Sequence, residues 1–171
     1  MQQIVVINGS ASSQSSNRRI LEYLESLGKH RYEFIHLHLK SLPHFDPELS
    51  ISNTPDSVLE FRKAVENSSA VLVCTPEYVF SIPSGLKNAI EWCVSTTIFT
   101  DKPVGLITAS AHGQKGHEEL QLLFRTLSAR LDEKTCLLIQ GVKGKVDGEG
   151  IIEEGTRNLL VEFANVFQSL F

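Results

Sequence analysis

The chain has 171 residues, 42% of them hydrophobic, and a formal net charge of −4; this is enough to build one substantial core, so a single domain over 1–171 is expected. The negative charge argues against nucleic acid or an anionic membrane surface as partner. Apolar runs are short, with no spanning stretch or leader pattern, which places the chain in the cytoplasm by expectation.

In chain order, the first strand candidate is IVVI at 4–7, followed by the polar stretch NGSASSQSSNRR at 8–19. A helix is expected over 16–27, where Ile20, Leu21, Leu24 and Leu27 recur at helical spacing, with Gly28 as its C-cap. A second, more mixed strand is expected at 32–39. Residues 40–54, KSLPHFDPELSISNT, form the longest irregular segment and read as functional or interfacial. Thr54 and Pro55 suit the start of a helix over 55–67. The strand AVLVC at 70–74 leads into TPEYVFSIPSGLKNAIEW at 75–92, in which two prolines stiffen a short loop before a helix at 84–95. PVGLITA at 103–109 is the fourth strand, SAHGQKGHEEL at 110–120 a third loop, and a helix follows over 115–131. The last strand candidate is TCLLIQ at 135–140; KGKVDGEG at 143–150 reads as an exposed loop with too few alternating oxygen ligands for calcium, and a final helix is expected over 151–170. Cys74, Cys93 and Cys136 are odd in number and widely spaced, which fits plain buried thiols rather than disulfides or zinc ligands.

Five βα units with continuously apolar central strands predict an α/β three-layer sandwich around a five-stranded parallel sheet in the order 2-1-3-4-5. In such a sheet ligands bind outside the carboxyl ends of the strands, beside the reversal between the first and third. The first of these ends carries Ser10, Ser12, Ser13, Ser15 and Ser16. One helix cap needs one serine, whereas a cluster of hydroxyls and free amides at a helix start suits a phosphate. Neither a Walker loop nor a G-x-G-x-x-G dinucleotide pattern is present. At the third strand, the rigid loop around Glu77 and Tyr78 could offer backbone groups to a planar heterocycle, or Tyr78 and Phe80 could pack on neighbours or across a subunit interface.

Taken together, INGSASSQSSNRRIL and TPEYVFSIPSGLKNAIEW resemble the NADPH-dependent FMN reductase family of flavodoxin-like proteins, which includes quinone and azo reductases. The first motif matches at Gly9, Ser10, Ser15, Asn17 and Arg18. The second, more specific one matches at Pro76, Glu77, Tyr78, Ser81, Pro83, Leu86 to Ile90, and Trp92; Ser110, Gly113 and Gly116 resemble the family's third, glycine-rich segment. The resemblance implies a flavodoxin-like sandwich holding FMN. Its phosphate would meet Ser10, Ser12, Ser15, Ser16 and Asn17, and its ring would meet Pro76, Glu77, Tyr78, Val79, Ser81, Ser110, His112 and Gly113. It further implies NADPH or NADH as reductant and a small-molecule acceptor, whether flavin, quinone or azo compound, in a ping-pong cycle. The assembly implied is a homodimer whose sites the neighbouring subunit completes, with a tetramer as the larger option. No catalytic side chain and no metal is assigned, because hydride transfer takes place at the flavin. The competing reading is a non-catalytic flavin-binding electron carrier or partner-binding module.

Three positions depart from the family pattern. Ser12 replaces an arginine whose charge-assisted contact to phosphate is worth ~1.5–3 kcal/mol, a loss that Arg18 or Arg19 offsets only by folding back toward the loop. Val79 replaces an asparagine, and Ser84–Gly85 replaces a Gly-x pair. His112 is either a donor to the flavin edge or substrate, or an exposed loop residue. His36 and His38 share one face of a strand, and a surface or helix-packed pair is expected over a metal site. Phe99 to Asp101 and the 40–54 segment are candidate dimer contacts.

Overall fold

The computed structural model describes residues 1–147 and 149–171. Its centre is the sheet β1 (Gln2–Asn8), β2 (Tyr32–Leu37), β3 (Ala70–Thr75), β4 (Val104–Ala109) and β5 (Cys136–Ile139), in the order β2-β1-β3-β4-β5. Every pairing is parallel, as the alternation of strands and helices requires. The crossovers carry α1 (Ser16–Gly28), α2 (Asp56–Asn67), α3 (Ser84–Glu91) and α4 (Gln114–Thr126); after β5 come the short α5 (Val142–Lys145) and α6 (Glu154–Gln168).

The strand period of two divides the core into two layers. Val5 and Ile7 of β1 face Phe61, Leu86, Trp92 and Phe124 on one side. Ile4 and Val6 face Ile20, Leu24, Phe163 and Phe167 on the other. β3 and β4 are buried along their whole length, whereas β2, an edge strand, is half-buried at four positions and exposed at two.

Several local expectations change. Gly28 closes α1 from inside the helix, with Lys29 as C-cap; a Cβ at Gly28 would stand 3.0 and 3.1 Å from the rings of Tyr32 and Phe34. Thr54 donates to the Leu49 carbonyl at 2.8 Å instead of capping, and Pro55 takes the cap position of α2. The helix expected to 95 stops at Glu91, because the Arg62 guanidinium takes up the Trp92 carbonyl. The one expected to 131 ends at Thr126, with Ser128 in the left-handed region (φ 60°) and the Ala129 amide reaching back to the Phe124 carbonyl. At the last loop, Gly148 lies outside the described residues; around it a short helix and a Val146–Ile152 bridge replace the open loop expected over 143–150.

The 40–54 segment is fastened to this chain's own helices. The Pro43 carbonyl accepts from Asn88 Nδ2 (2.9 Å) and Trp92 Nε1 (2.8 Å), the Phe45 amide donates to Asn88 Oδ1, and Arg62 donates to the Ser50 carbonyl at 3.0 Å. Asn88 and Trp92 of the second motif therefore serve the connector. Cys74 and Cys93 are buried and Cys136 half-buried, all three unpaired. Burial pushes the Cys93 thiol up to about 12 and the Cys136 thiol to about 11.

Candidate functional site at the carboxyl ends of β1, β3 and β4

β1 ends against β3. The Gly9 amide donates to the Cys74 carbonyl at 2.9 Å, and a Cβ on Gly9 would stand 2.3 Å from Thr75 Oγ1, so only glycine fits. Beyond it the first loop organises itself by side chains two residues apart. The Ser10 amide donates to Asn8 Oδ1, the Ser12 amide to Ser10 Oγ and the Gln14 amide to Ser12 Oγ, at 2.9, 3.2 and 3.3 Å. Ser15 is the N-cap of α1, its hydroxyl oxygen accepting from the Arg18 amide at 3.2 Å. The amides of Ala11, Ser13, Ser15, Ser16 and Asn17 find no acceptor among the described residues. A turn with that many free N–H groups at a helix start matches the needs of a phosphate. Arg18 folds back, its Nη1 donating to the Ser13 carbonyl at 3.2 Å while Nε pairs with Glu22. A guanidinium thus reaches the loop that lacks the family's arginine at position 12. Of the two arginines the sequence offered as compensation, Arg18 is the one that folds back to the loop, while Arg19 pairs with Glu22.

Asn17 takes a different place from the one expected. Its side chain is 3% exposed, donates to the Ala109 carbonyl at 3.1 Å and accepts from Cys74 Sγ, so it joins α1 to β3 and β4 rather than facing a phosphate.

The second loop closes in a two-residue hairpin turn. Tyr78 and Ser81 exchange backbone hydrogen bonds of 2.9 and 3.0 Å around Val79 (φ 52°) and Phe80 (φ 57°). Two positive-φ centres fit the right-handed strand twist but favour Asn or Gly; a valine there costs on the order of 1–2 kcal/mol. Val79 is 95% and Phe80 73% exposed, which leaves an apolar tip at the end of the turn. Glu77 does not point at a cofactor: its carboxylate accepts from the Gly113 and Gly116 amides at 3.2 and 2.8 Å, filling the positive N-terminus of α4. Ser81 likewise donates its hydroxyl to Glu119 at 2.6 Å. These two expected contact residues hold loops together instead.

The third loop is tied to β5: the Ser110 amide donates to the Ile139 carbonyl, and the Gly141 amide to that of Ala111. Gly113 (φ 85°) is the N-cap of α4, and His112 is exposed. Behind it, His117 is 8% exposed with Nδ1 2.9 Å from Thr108 Oγ1, and burial holds it below its ordinary value of 6.5.

An open cleft of about 970 Å³ brings Ser10, Ser12, Ser13 and Arg18 together with Tyr78 and the start of α3. It continues past Glu22 and Glu25 to His36, His38 and Lys40 at the end of β2. His36 Nε2 stands 3.1 Å from Glu25 Oε1, so the expected helix-facing contact of this pair is made through α1. Burial raises Glu25 above the usual carboxylate range, with His36 opposing. Of the expected contact residues Ser10, Ser12 and Tyr78 line this cleft; Ser15, Ser16, Asn17, Pro76, Glu77, Val79, Ser81, Ser110, His112 and Gly113 do not. Among the described residues no three His, Cys, Asp or Glu side chains group to hold a metal, and no helix is long and apolar enough to cross a membrane.

Residues 2–141 match the family described as NADPH-dependent FMN reductase. The chain belongs to that family. It is 32% identical over 174 residues to a quinone reductase of Pseudomonas putida, covering 97% of this chain and 92% of the relative. A 2-hydroxy-1,4-benzoquinone reductase from Burkholderia sp is 27% identical, with 96% and 93% covered. Among solved structures, the flavoenzyme NAD(P)H:(acceptor) oxidoreductase FerB from Paracoccus denitrificans superposes with a TM-score of 0.84 at 27% identity, over 99% of this chain and 97% of that one. As a member of this family of NAD(P)H-dependent flavoenzymes, the chain is an oxidoreductase with a flavodoxin-like fold and FMN as its cofactor.

Proposed function

We propose that this chain reduces quinones, and the related azo and flavin acceptors, with electrons from NAD(P)H in a ping-pong cycle. The observation that carries this reading is the first loop: free amides from Ala11 to Asn17 and the folded-back Arg18 suit the FMN phosphate. Ser10, Ser12, Ser15 and Ser16 supply hydroxyls there; the cap oxygen of Ser15 keeps its proton free to donate. Tyr78, on the cleft wall, borders the ring, while Asn17, Glu77 and Ser81 hold that border in place from behind. FMN, when bound, would supply the redox chemistry that links NAD(P)H oxidation to reduction of the acceptor. The protein's own part is to orient both partners on one face and to keep the ring edge in a fixed frame.

The relatives named quinone reductase support the acceptor class. The exposed tip of Val79 and Phe80 supports a homodimer in which the neighbouring subunit covers it, with a tetramer as the larger assembly. Three unpaired cysteines fit a reducing compartment, which supports the cytoplasm.

The test is titration of FMN into flavin-free protein, read by quenching of flavin fluorescence, with NADPH and NADH consumption followed on addition of 1,4-benzoquinone. Saturable binding at micromolar levels or tighter, with turnover, is expected. A folded protein that binds no FMN overturns the reading, and one that binds FMN without turnover restores the electron-carrier alternative.

A further inference from the structure

Two carboxylates cross between the second loop and α4 in opposite directions. Glu77 leaves the loop for the amides of Gly113 and Gly116. Glu119 leaves α4 for the loop: its Oε2 accepts from the Ser81 hydroxyl at 2.6 Å and the Ile82 amide at 3.2 Å, while Oε1 faces Lys87 Nζ at 3.9 Å. Between the two anchors stands the Tyr78–Ser81 turn, with Val79 and Phe80 both in the left-handed region.

Neither Val79 nor Phe80 favours that conformation, so their side chains work against the turn; strained backbone of this kind persists where the surroundings over-determine it. Upstream, the anchor is Glu77, which lies in the family's motif. Downstream, nothing in the motif supplies a partner for the Ser81 hydroxyl, and the side chain that does so comes from a helix 38 residues later. Ile82 is buried, so without Glu119 its amide would lose its partner in a place water reaches poorly.

We propose that Glu119 is a positioning residue of the ring end of the site: through Ser81 and Ile82 it holds the Tyr78–Ser81 turn in its left-handed form and thereby keeps Tyr78 on the cleft wall. The role concerns the same site as the proposed flavin reductase and rests on that reading for its effect on FMN. The geometry of the turn does not depend on it.

The experiment compares the full-length wild type with Glu119→Ala, Glu119→Gln and Ser81→Ala by three readouts. These are amide hydrogen exchange at Ser81 and Ile82, FMN Kd by fluorescence quenching, and kcat and KM for NADPH-dependent reduction of 1,4-benzoquinone. In Glu119→Ala both amides exchange faster and FMN Kd rises about tenfold, the size of effect a misplaced binding edge gives. KM for the quinone rises with it. Glu119→Gln restores exchange and Kd, because one amide oxygen accepts from both the hydroxyl and the N–H. Ser81→Ala moves the same readouts in the same direction by less, and answers the question if Glu119→Ala does not fold. Unchanged exchange at Ile82 in Glu119→Ala overturns the proposal. So does lowered thermal stability with FMN Kd and KM intact, or a folded Gln variant that behaves like Ala. A wild type that binds no FMN overturns the flavin reading instead, and the exchange data still decide the role of Glu119.

Discussion

The first and second loops stand side by side at the same edge of the sheet, yet they are built by opposite means. From Asn8 to Arg18 the chain shapes itself, the side chains of Asn8, Ser10, Ser12 and Ser15 each accepting from an amide two or three residues on. From Pro76 to Ile82 the shape comes from α4, through Glu77 reaching out and Glu119 reaching in. The first loop keeps a run of free amides, whereas the second has the Glu77 carboxylate, the Ser81 hydroxyl and the Tyr78, Ser81 and Ile82 amides bound. Phosphate recognition needs unsatisfied donors, whereas a ring edge needs a surface that does not move, and each loop has the construction its task requires.

The comparison breaks most sharply at Gly9, where the self-built loop leans on β3. Gly9→Ala brings a Cβ to 2.3 Å from Thr75 Oγ1, and a loss of about 3 kcal/mol in urea unfolding is expected, together with loss of FMN binding. A stability change near zero would mean that the first loop is independent of the strand beside it. Glu77→Ala tests the second loop's dependence on α4. Removing one carboxylate from two amides should cost about 2 kcal/mol by denaturant titration and weaken FMN; a wild-type Kd would deny the coupling.

A smaller effect is expected at the cap. Ser15→Ala should lower stability by about 1 kcal/mol, and on the proposed role of its hydroxyl at the phosphate, FMN Kd should rise too. Loss of stability alone would reduce Ser15 to a cap. Val79→Gly has the opposite sign: relief of the left-handed valine exceeds the entropy gained by the unfolded chain, for a net gain of about 0.5–1 kcal/mol. A destabilised variant would show that the tip packs onto something that valine alone supplies.

Acid separates the loops as well, since residues 10–16 carry no ionisable side chain while α4 carries buried His117. Burial lowers the folded His117 below 6.5, so between that depressed value and 6.5 the unfolded chain binds the proton more readily. Stability is therefore complete above 6.5 and is lost as the pH falls through that window. Urea midpoints at about pH 5 and about pH 7 should differ in wild type and converge in His117→Gln. An unchanged difference would assign the titration to other groups.

Much of this was legible from the chain alone. Strand order followed from strict alternation and continuous apolar runs, because a parallel sheet covered on both faces allows few arrangements. The serine cluster disclosed a loop with donors to offer, since those contacts span two or three residues. What the sequence did not disclose was where long side chains end. Arg18 and Asn17 are neighbours in sequence, but one turns back to Ser13 and the other enters the core to meet Ala109 and Cys74. Glu77 and Ser81 look like contact residues until α4 arrives to engage them, and Asn88 and Trp92 serve a connector that lies more than forty residues earlier. The amino-acid sequence by itself determined the βα alternation, the layers and the self-bonded first loop, because period and short-range hydrogen bonding are local properties. Tertiary structure alone decided which polar groups remain free at the site, because a donor is free only when no partner from elsewhere in the fold comes within reach.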